Sequence, residues 1–255
     1  MCGILGMIGE TSEGRWAQTY TILNSLFLLS AAQRGLDASG FVARTSPFKN
    51  CLAADTVTDK AAMPAPDFIA SNRAWRSLRH RRCVSVLAHV RWATTGRADD
   101  RNNAHPFKAR ASDVYLVHNG ILTDHLTTAQ SCGVSLETDC DSEILIRLVE
   151  QADHPAVGLD RALRRVKGSA AVAVFDGKRD GTLYLARTDR PLWLARLRND
   201  RRWFFSSTRE ILLAAFKEVL GEDAISGLET LLPVAAGHVH VLTTSGRLSG
   251  LPGDR

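Results

Sequence analysis

Residues 169–206 read SAAVAVFDGKRDGTLYLARTDRPLWLARLRNDRRWFFS, and this stretch decides the fold class. It holds short runs of aliphatic and aromatic residues separated by clusters of Gly, Asp, Asn and Pro, which are typical of turns. We expect strands at 169–175, 182–187, 192–197 and 203–206. Because strand mostly follows strand here, the pattern favours antiparallel sheets packed with helices over a doubly wound parallel sheet.

The flanking sequence adds helices and more strands. Apolar residues recur at helical spacing over 15–34 and are followed by Gly35, which predicts a helix that ends there and opens into a loop at 35–40. Alternating apolar residues predict further strands, and periodic apolar residues predict further helices. The expected strands are 83–92, 114–118 and a last one at 238–243, and the expected helices are 144–149, 159–166 and 208–219.

Length and composition bound the class of protein. The chain has 255 residues, 45% of them hydrophobic and 23% charged, with a net charge of +5. Such a composition excludes a disordered or collagen-like chain, and a chain of this length buries roughly 70–75% of its unfolded surface. The nearest thing to a linker is 60–67, and cutting there would leave a thin first domain. We therefore expect one domain over 1–255.

The sequence also bears on the compartment. The longest apolar stretch in the first half, 26–32, is far shorter than the ~20 residues that span a bilayer, and no basic region precedes an apolar core at the N-terminus. The cysteines are odd in number and include no C-x-x-C pair, so they fit neither a disulfide framework nor a zinc site. We expect a cytoplasmic protein without a membrane partner, a metal or a cofactor. The cysteines are Cys2, Cys51, Cys83, Cys132 and Cys140.

Four segments that lie far apart match one known pattern together with Asp141-Ser142-Glu143. The set resembles the class II glutamine amidotransferase domain, an N-terminal-nucleophile hydrolase found at the front of glucosamine-6-phosphate synthase and amidophosphoribosyltransferase. This resemblance implies a four-layer αββα sandwich, with two antiparallel sheets between helical layers. The segments are MCGILG at 1–6, QRGLDASG at 33–40, HVRWATTG at 89–96 and VHNGIL at 117–122.

Cys2 is the candidate nucleophile. On its own, a cysteine after the start codon can be an inert residue. If Met1 is removed, however, one residue offers both a thiol and a free α-amine. The amine titrates near 7.7–8.0 and the thiol near 8.5, so the amine can serve as the base for its own side chain. The functional interpretation therefore requires that Met1 is removed.

The dipeptide Asn119-Gly120 has two interpretations. Between two apolar runs, Asn-Gly taken alone favours a type I′ hairpin turn. The neighbouring His118 and the upstream motifs favour the second interpretation. In the family that the chain resembles, the Asn side chain and the Gly backbone N–H form the oxyanion hole, where charge develops as a thiolate attacks an amide.

The resemblance assigns glutamine recognition to a second group of residues. Arg91 would otherwise be a surface ion-pairing residue, but its planar guanidinium suits the two oxygens of the substrate α-carboxylate. Asp141 would otherwise be an N-cap, and the resemblance gives it the α-ammonium group. By the same resemblance, Trp92 and Thr94 belong to the substrate-binding loop. Together, Arg91 and Asp141 would select free glutamine over a generic amide.

Other motif residues are expected to form the framework of the pocket. They are Arg34, Asp37 and the segment 103–106, in which we interpret His105 as a structural hydrogen-bonding residue and not a base. The sequence departs from glucosamine-6-phosphate synthases at Thr95, where those enzymes carry His. Pocket closure or coupling to synthesis is therefore expected to differ.

A basic cluster at 73–82 could bind nucleic acid or a phosphorylated partner. We favour a helix that starts at Asp67, buries Phe68, Trp75 and Leu78, and exposes a solvated basic face. No phosphate-binding loop and no G-x-G-x-x-G motif after a strand is present, so neither ATP nor a dinucleotide is indicated. Nucleic acid is accordingly not expected as a partner.

These observations predict a glutaminase that uses a Cys2 thioester and passes ammonia to a separate synthase. Two alternatives stay open at this point. The protein could hydrolyse another γ-glutamyl amide, or it could be a non-catalytic binding module in which Met1 is retained and the basic helix docks a partner.

Overall fold

The structure is a computed structural model that describes residues 1–46 and 54–251. Cys51 and the last four residues of the expected domain 1–255 lie outside this part of the chain. Among the described residues, no helix is long and apolar enough to cross a membrane.

One sheet carries the N-terminus on a central strand. Its seven strands run in the order β11-β9-β10-β1-β4-β2-β3, and every pair is antiparallel. β1 lies between β10 and β4 and is buried along its whole length. The residue before β1 is Cys2, so the candidate nucleophile stands at the end of a central strand. The strands are β1 (Gly3–Ile8), β2 (Ala38–Thr45), β3 (Thr56–Ala61), β4 (Cys83–Arg91), β9 (Trp193–Leu197), β10 (Trp203–Ser206) and β11 (Leu228–Pro233).

The second sheet is also antiparallel, with its strands in the order β13-β12-β8-β7-β6-β5. β6 and β7 pair along nine residues. This register fixes the position of Asn119 and Gly120, which both lie on β6. The strands are β5 (Phe107–Lys108), β6 (Val114–Leu122), β7 (Gly168–Asp176), β8 (Thr182–Arg187), β12 (Val239–Leu242) and β13 (Leu248–Leu251).

Helices cover the outer face of each sheet. One apolar cluster joins the first sheet to α1, α2, α3 and α7, and another joins the second sheet to α4, α5 and α6. A third cluster lies between the two sheets, where Ile4 and Leu87 of the first share a core with Val117 and Phe175 of the second. The architecture is therefore the expected αββα sandwich. The helices are α1 (Glu13–Arg34), α2 (Ala65–Ser71), α3 (Arg73–Ser77), α4 (His125–Ser131), α5 (Glu143–Val149), α6 (Pro155–Arg165) and α7 (Arg209–Leu220).

Most of the predicted elements occur close to their expected bounds, and the differences have local causes. The predicted loop at 35–40 is only a short turn, because β2 already begins at Ala38 and pairs with both β3 and β4. The strand expected last is followed by β13, which pairs with it. β3 and α2 occupy most of the 60–67 region that had the composition of a linker.

The single helix expected to start at Asp67 and to run into the basic cluster at 73–82 is instead two helices, α2 and α3. Asn72 ends α2, and its side chain accepts a hydrogen bond from Trp75 N at 2.9 Å, which caps α3. Phe68, Trp75 and Leu78 are fully buried, as the predicted inward face requires. The arginines of this cluster that lie on the opposite face, Arg73, Arg76 and Arg79, are exposed.

Asn119-Gly120 is not a hairpin turn. Asn119 pairs with Ala171 and Gly120 with Ala170 inside the ladder between β6 and β7. The strand continues to Leu122, four residues beyond its predicted end at 118. The hairpin interpretation is therefore wrong, because pairing with a distant strand overrides the local turn preference of Asn-Gly.

Candidate active site

Cys2 meets the end of β4 at one edge of the sandwich. Gly3 pairs with Val90, and this register places Cys2 beside the Arg91-Trp92 peptide. The Cys2 Sγ lies 3.4 Å from Trp92 N and 3.5 Å from Trp92 O. The Cys2 side chain is largely buried, with 9% of its surface exposed. Two motifs separated by 90 residues are thus in direct contact.

Arg34 and Asn119 bind the backbone of Cys2. Arg34 Nε donates to Cys2 O at 3.0 Å. The amide of Asn119 satisfies both of its neighbours when Nδ2 donates to Cys2 O at 3.1 Å and Oδ1 accepts from Arg34 Nη2 at 3.0 Å. The end of α1, the second sheet and the nucleophile therefore form one small network.

Two glycines allow this close approach. A Cβ on Gly35 would lie 2.4 Å from Arg91 O, so the turn after α1 can pack against the end of β4 only without a side chain. A Cβ on Gly120 would lie 1.8 Å from Ser169 O and 2.5 Å from His118 Nε2. No larger residue fits at either position unless the backbone shifts.

Arg91 organises the loop that follows it. Its side chain is 2% exposed, and its guanidinium donates to Arg97 O at 3.0 Å and to Thr95 O at 2.5 Å. Asp37 holds the same loop from another side, because its Oδ2 accepts from Ala93 N at 2.7 Å. Two charged side chains therefore hold the loop: Arg91 at the end of β4 and Asp37 in the turn after α1.

The two remaining residues predicted for this loop face solvent. Trp92 is 55% exposed, and Thr94 is also exposed. Asn103, predicted as framework, is buried and donates from Nδ2 to Arg97 O at 3.2 Å. Trp92 and Thr94 thus form an open rim beside the buried Cys2, and Asn103 supports that rim from below.

Asp141 lies at the far end of β6. It is 2% exposed, and its Oδ2 accepts from Leu122 N at 2.7 Å. The N-cap of α5 is Ser142, whose side chain forms no capping hydrogen bond. The capping interpretation of Asp141 is therefore wrong, because its carboxylate binds the backbone of a neighbouring strand.

Three buried histidines lie behind the network. His89 Nε2 donates to His118 O at 3.0 Å, and His118 Nδ1 lies 2.8 Å from Ser142 Oγ. The ring of His105 stacks on that of His89 with centroids 4.1 Å apart. Among the described residues, neither ring nitrogen of His105 has a hydrogen-bond partner, so the expected hydrogen-bonding role of this ring is wrong.

Burial controls the ionisation of these groups. It lowers the pKa of His89 to about 3 and the pKa of His105 well below its ordinary range, so both rings are neutral at physiological pH. Burial likewise raises the pKa of the Cys2 thiol. The hydrogen bond from the Trp92 backbone and the charge of nearby Arg91 lower this pKa, but burial has the larger effect. With Met1 in place, the thiol is therefore protonated at neutral pH and needs a base to become a nucleophile.

The structure also adds residues that the motifs did not indicate. Arg190 Nε donates to Ser169 Oγ at 2.9 Å, and Arg190 Nη1 lies 3.5 Å from Met1 Sδ. Arg190 lies in the turn after β8, a region that the sequence marks only as a strand connection. No local sequence signal places it at the N-terminus, because the contact depends on the pairing of three strands.

Residues 89–214 match the family model described as a glutamine amidotransferase domain. The chain is 30% identical over 201 residues to a glutamine–fructose-6-phosphate aminotransferase of Chlorobaculum tepidum and 30% identical over 199 residues to that of Bacillus licheniformis. The chain contains a class II glutamine amidotransferase domain.

Each of these alignments covers 75% of this chain but only 30% of the relative. The glutamine amidotransferase domain thus corresponds to under a third of the length of those curated relatives. Class II glutamine amidotransferases are enzymes with an N-terminal cysteine nucleophile, and this agrees with the predicted class of enzyme.

Solved structures show the same fold. The glutamine phosphoribosylpyrophosphate amidotransferase from B. subtilis superposes with a TM-score of 0.68 at 21% sequence identity. A structure described as the allosteric regulatory enzyme of purine biosynthesis superposes with a TM-score of 0.70 at 22% identity. Each match covers 98% of this chain and about half of the other, 49% and 48% respectively. The predicted fold of the glutamine amidotransferase domain is confirmed.

Proposed function

We propose that this domain hydrolyses the side-chain amide of glutamine through a thioester on Cys2, giving glutamate and ammonia. The observation that carries the proposal is the network at Cys2. Its Sγ lies 3.4 Å from Trp92 N, and its carbonyl is bound by Arg34 and by the Asn119 amide. A nucleophile and an amide donor therefore meet although 117 positions of sequence, from 2 to 119, separate them.

The reaction begins with removal of Met1, which converts the nitrogen of Cys2 from a peptide amide into a free amine. That amine accepts the thiol proton through a bridging water, and the thiolate attacks the δ-carbon of glutamine.

 The new bond joins Cys2 Sγ to that carbon, and the carbonyl electron pair moves onto oxygen.

Asn119 and Gly120 stabilise the oxyanion in this proposal. The Asn119 Nδ2 and the Gly120 backbone N–H are the donors, and both are fixed on β6 by its pairing with β7. Collapse of the tetrahedral intermediate breaks the C–N bond, and the ammonium group of Cys2 returns its proton so that ammonia leaves. Water then hydrolyses the thioester, which releases glutamate and restores the thiol.

Substrate recognition is assigned to residues on both sides of the nucleophile. We assign the α-carboxylate of glutamine to Arg91, whose guanidinium lies under the loop that carries Trp92 and Thr94. We assign the α-ammonium to the carboxylate of Asp141, which is buried and therefore poorly solvated. A pocket with one fixed positive and one fixed negative group selects a zwitterionic amino acid.

We extend the proposal to the use of the ammonia. Relatives of the chain are named as aminotransferases, so a nitrogen-accepting synthase in trans is the proposed partner, with the cytoplasm as the proposed compartment. The proposed extent of the domain is 1–255. Copurification of the tagged chain from its native cells, followed by identification of a bound synthase, tests the partner.

The central experiment combines mass and activity. The intact mass of the purified chain should show loss of Met1, and this form should release glutamate and ammonia from glutamine. The Cys2→Ala variant, with the same N-terminal processing, should release neither. A glutamine-like electrophile should add to Cys2 of the wild-type chain only.

Two other outcomes of this experiment would contradict the proposal of glutamine hydrolysis. If other γ-glutamyl amides are cleaved while free glutamine is inert, the substrate assignment is wrong. If Met1 is retained and no adduct forms at Cys2, the non-catalytic binding module becomes the better interpretation.

A further inference from the structure

The turn between β8 and β9 is fastened to the first residues of β7. Thr188 N donates to Ala170 O at 2.8 Å, and Ala170 N donates to Thr188 Oγ1 at 2.9 Å. Ala170 N also donates to the Asp189 carboxylate, with 3.2 Å between Ala170 N and Asp189 Oδ1. These contacts hold the turn in one position against the second sheet.

The hydrogen bonds between Thr188 and Ala170, here called the Thr188 anchor, lie next to the proposed oxyanion hole. Ala170 pairs with Gly120 across the ladder between β7 and β6, so one strand separates the turn from the two proposed donors. Arg190 follows in the same turn, and its Nε donates to Ser169 Oγ at 2.9 Å. The guanidinium is thereby aimed across the sheet edge toward the N-terminus of the chain.

The far end of the guanidinium reaches Met1. Arg190 Nη1 lies 3.5 Å from Met1 Sδ, and in the part of the chain that the structure describes, Arg190 forms no ion pair. The neighbouring Asp189 carboxylate accepts from Ala170 N and Thr188 Oγ1, so its hydrogen bonds go to the turn and to β7 and not to the Arg190 guanidinium. Removal of Met1 would leave the Arg190 guanidinium without its Met1 contact, near the new N-terminus.

The charged groups that face the N-terminal amine come from several elements. Burial lowers the pKa of the Met1 amine, and the charges of Arg34 and Arg190 lower it further, whereas Cys2 and Asp37 raise it. Arg34 is already committed to Cys2 O and Asn119 Oδ1. The charged groups that act on the adjacent thiol are the N-terminal amine itself, Arg91 and Asp141.

We propose that Arg190 is a positioning residue of the reaction, whose guanidinium keeps the α-amine of the mature Cys2 in its neutral, proton-accepting form. This inference rests on the proposed function. A positive neighbour disfavours the ammonium form, so a larger fraction of the amine is free to take the thiol proton near neutral pH. Ser169 fixes the guanidinium through Nε, and the Thr188 anchor fixes the turn.

The test compares pH profiles of kcat/KM for glutamine. All chains are made with a cleavable leader directly before Cys2, so that cleavage yields a verified N-terminal cysteine. The variants are Arg190→Gln and Arg190→Lys. Arg179→Gln is the matched control, because Arg179 follows the opposite end of β7 and pairs with Asp176.

Loss of a positive charge should raise the pKa of the amine. In Arg190→Gln, we expect the acid limb of the profile to move up by about half a unit to one unit, as for a partly screened charge several ångströms away. Its kcat/KM should be about threefold to tenfold lower than wild type at pH 6.5 and nearly equal at pH 9. Arg190→Lys should restore most of the profile, and Arg179→Gln should leave it unchanged.

A second measurement does not depend on turnover. In a Cys2→Ala background, limiting acetic anhydride acylates the N-terminal amine, and peptide mass spectrometry follows its extent against pH. The midpoint should be higher in Arg190→Gln than in the Arg190 parent. If that shift occurs while wild type hydrolyses no glutamine, the proposed function fails and the placement of Arg190 stands.

The inference is overturned by either of two results. One is an unchanged midpoint of amine acylation in Arg190→Gln. The other is a loss of kcat/KM that is equal at every pH and is not restored by Arg190→Lys, since a merely structural residue behaves in that way.

Discussion

Replacing Asn119 tests the proposed oxyanion hole most directly. The Asn119→Ala variant loses the amide that lies 3.1 Å from Cys2 O and 3.0 Å from Arg34 Nη2. Loss of one oxyanion donor raises the barrier by about 2.7–4 kcal/mol, so kcat should fall about 100-fold to 1000-fold. KM should change little, because the donor acts mainly on the charge of the transition state.

The same variant should also be less stable. Asn119 is 1% exposed, and its removal leaves Arg34 Nη2 without that acceptor in a buried setting. Such a loss costs about 1–3 kcal/mol of the free energy of unfolding. The Asn119→Asp variant separates the two effects, because its carboxylate can still accept from Arg34 but offers no N–H to an oxyanion.

The assay is release of glutamate from glutamine by chains that begin at Cys2, alongside urea unfolding. Both variants should show the large loss of kcat, and Asn119→Asp should retain more stability than Asn119→Ala. A folded Asn119→Ala chain with kcat within tenfold of wild type would refute the role. So would an Asn119→Asp chain that is fully active.

Three further predictions concern neighbouring groups. Gly120→Ala should lower the free energy of unfolding by about 1–3 kcal/mol in urea, since the added Cβ would lie 1.8 Å from Ser169 O; wild-type stability would contradict this. Arg91→Lys should raise KM for glutamine at least about tenfold, because Lys cannot reproduce a planar, two-point contact; an unchanged KM would remove Arg91 from recognition. In a chain that retains Met1, burial raises the pKa of the Cys2 thiol, so alkylation by iodoacetamide should be slow at pH 7 and rise steadily through pH 9; rapid labelling at pH 7 would show a thiol that is already ionised.

Sequence periodicity was sufficient for much of the architecture. The helix over 15–34 and the strands at 182–187 and 203–206 occur almost as predicted, because each has a strong local pattern and a clear end such as Gly35. Periodicity did not predict six of the strands, which are β1, β2, β3, β5, β11 and β13. Such strands are stabilised by packing against their partners more than by the preferences of their own residues.

The residues of the site also fall into two groups, those that the sequence indicated and those that it did not. Cys2, Arg91, Asn119 and Asp141 could be singled out because their motifs resemble those of a known family. Arg190 could not, since a Thr-Asp-Arg-Pro turn carries no chemical signature of its own. Likewise, the choice between hairpin and strand for Asn119-Gly120 depended on β7, which lies about fifty residues further along the chain.

The sequence by itself determined which residue types are available: a cysteine at position 2, a guanidinium at 91, and an Asn-Gly pair that can donate two hydrogen bonds. Only the tertiary structure decided which of them meet. The register of β1 on β4 brings Cys2 to Trp92, and the packing of the two sheets brings Asn119 to Cys2. Contacts over such separations are set by strand pairing and interlayer packing, and neither is encoded in any one segment.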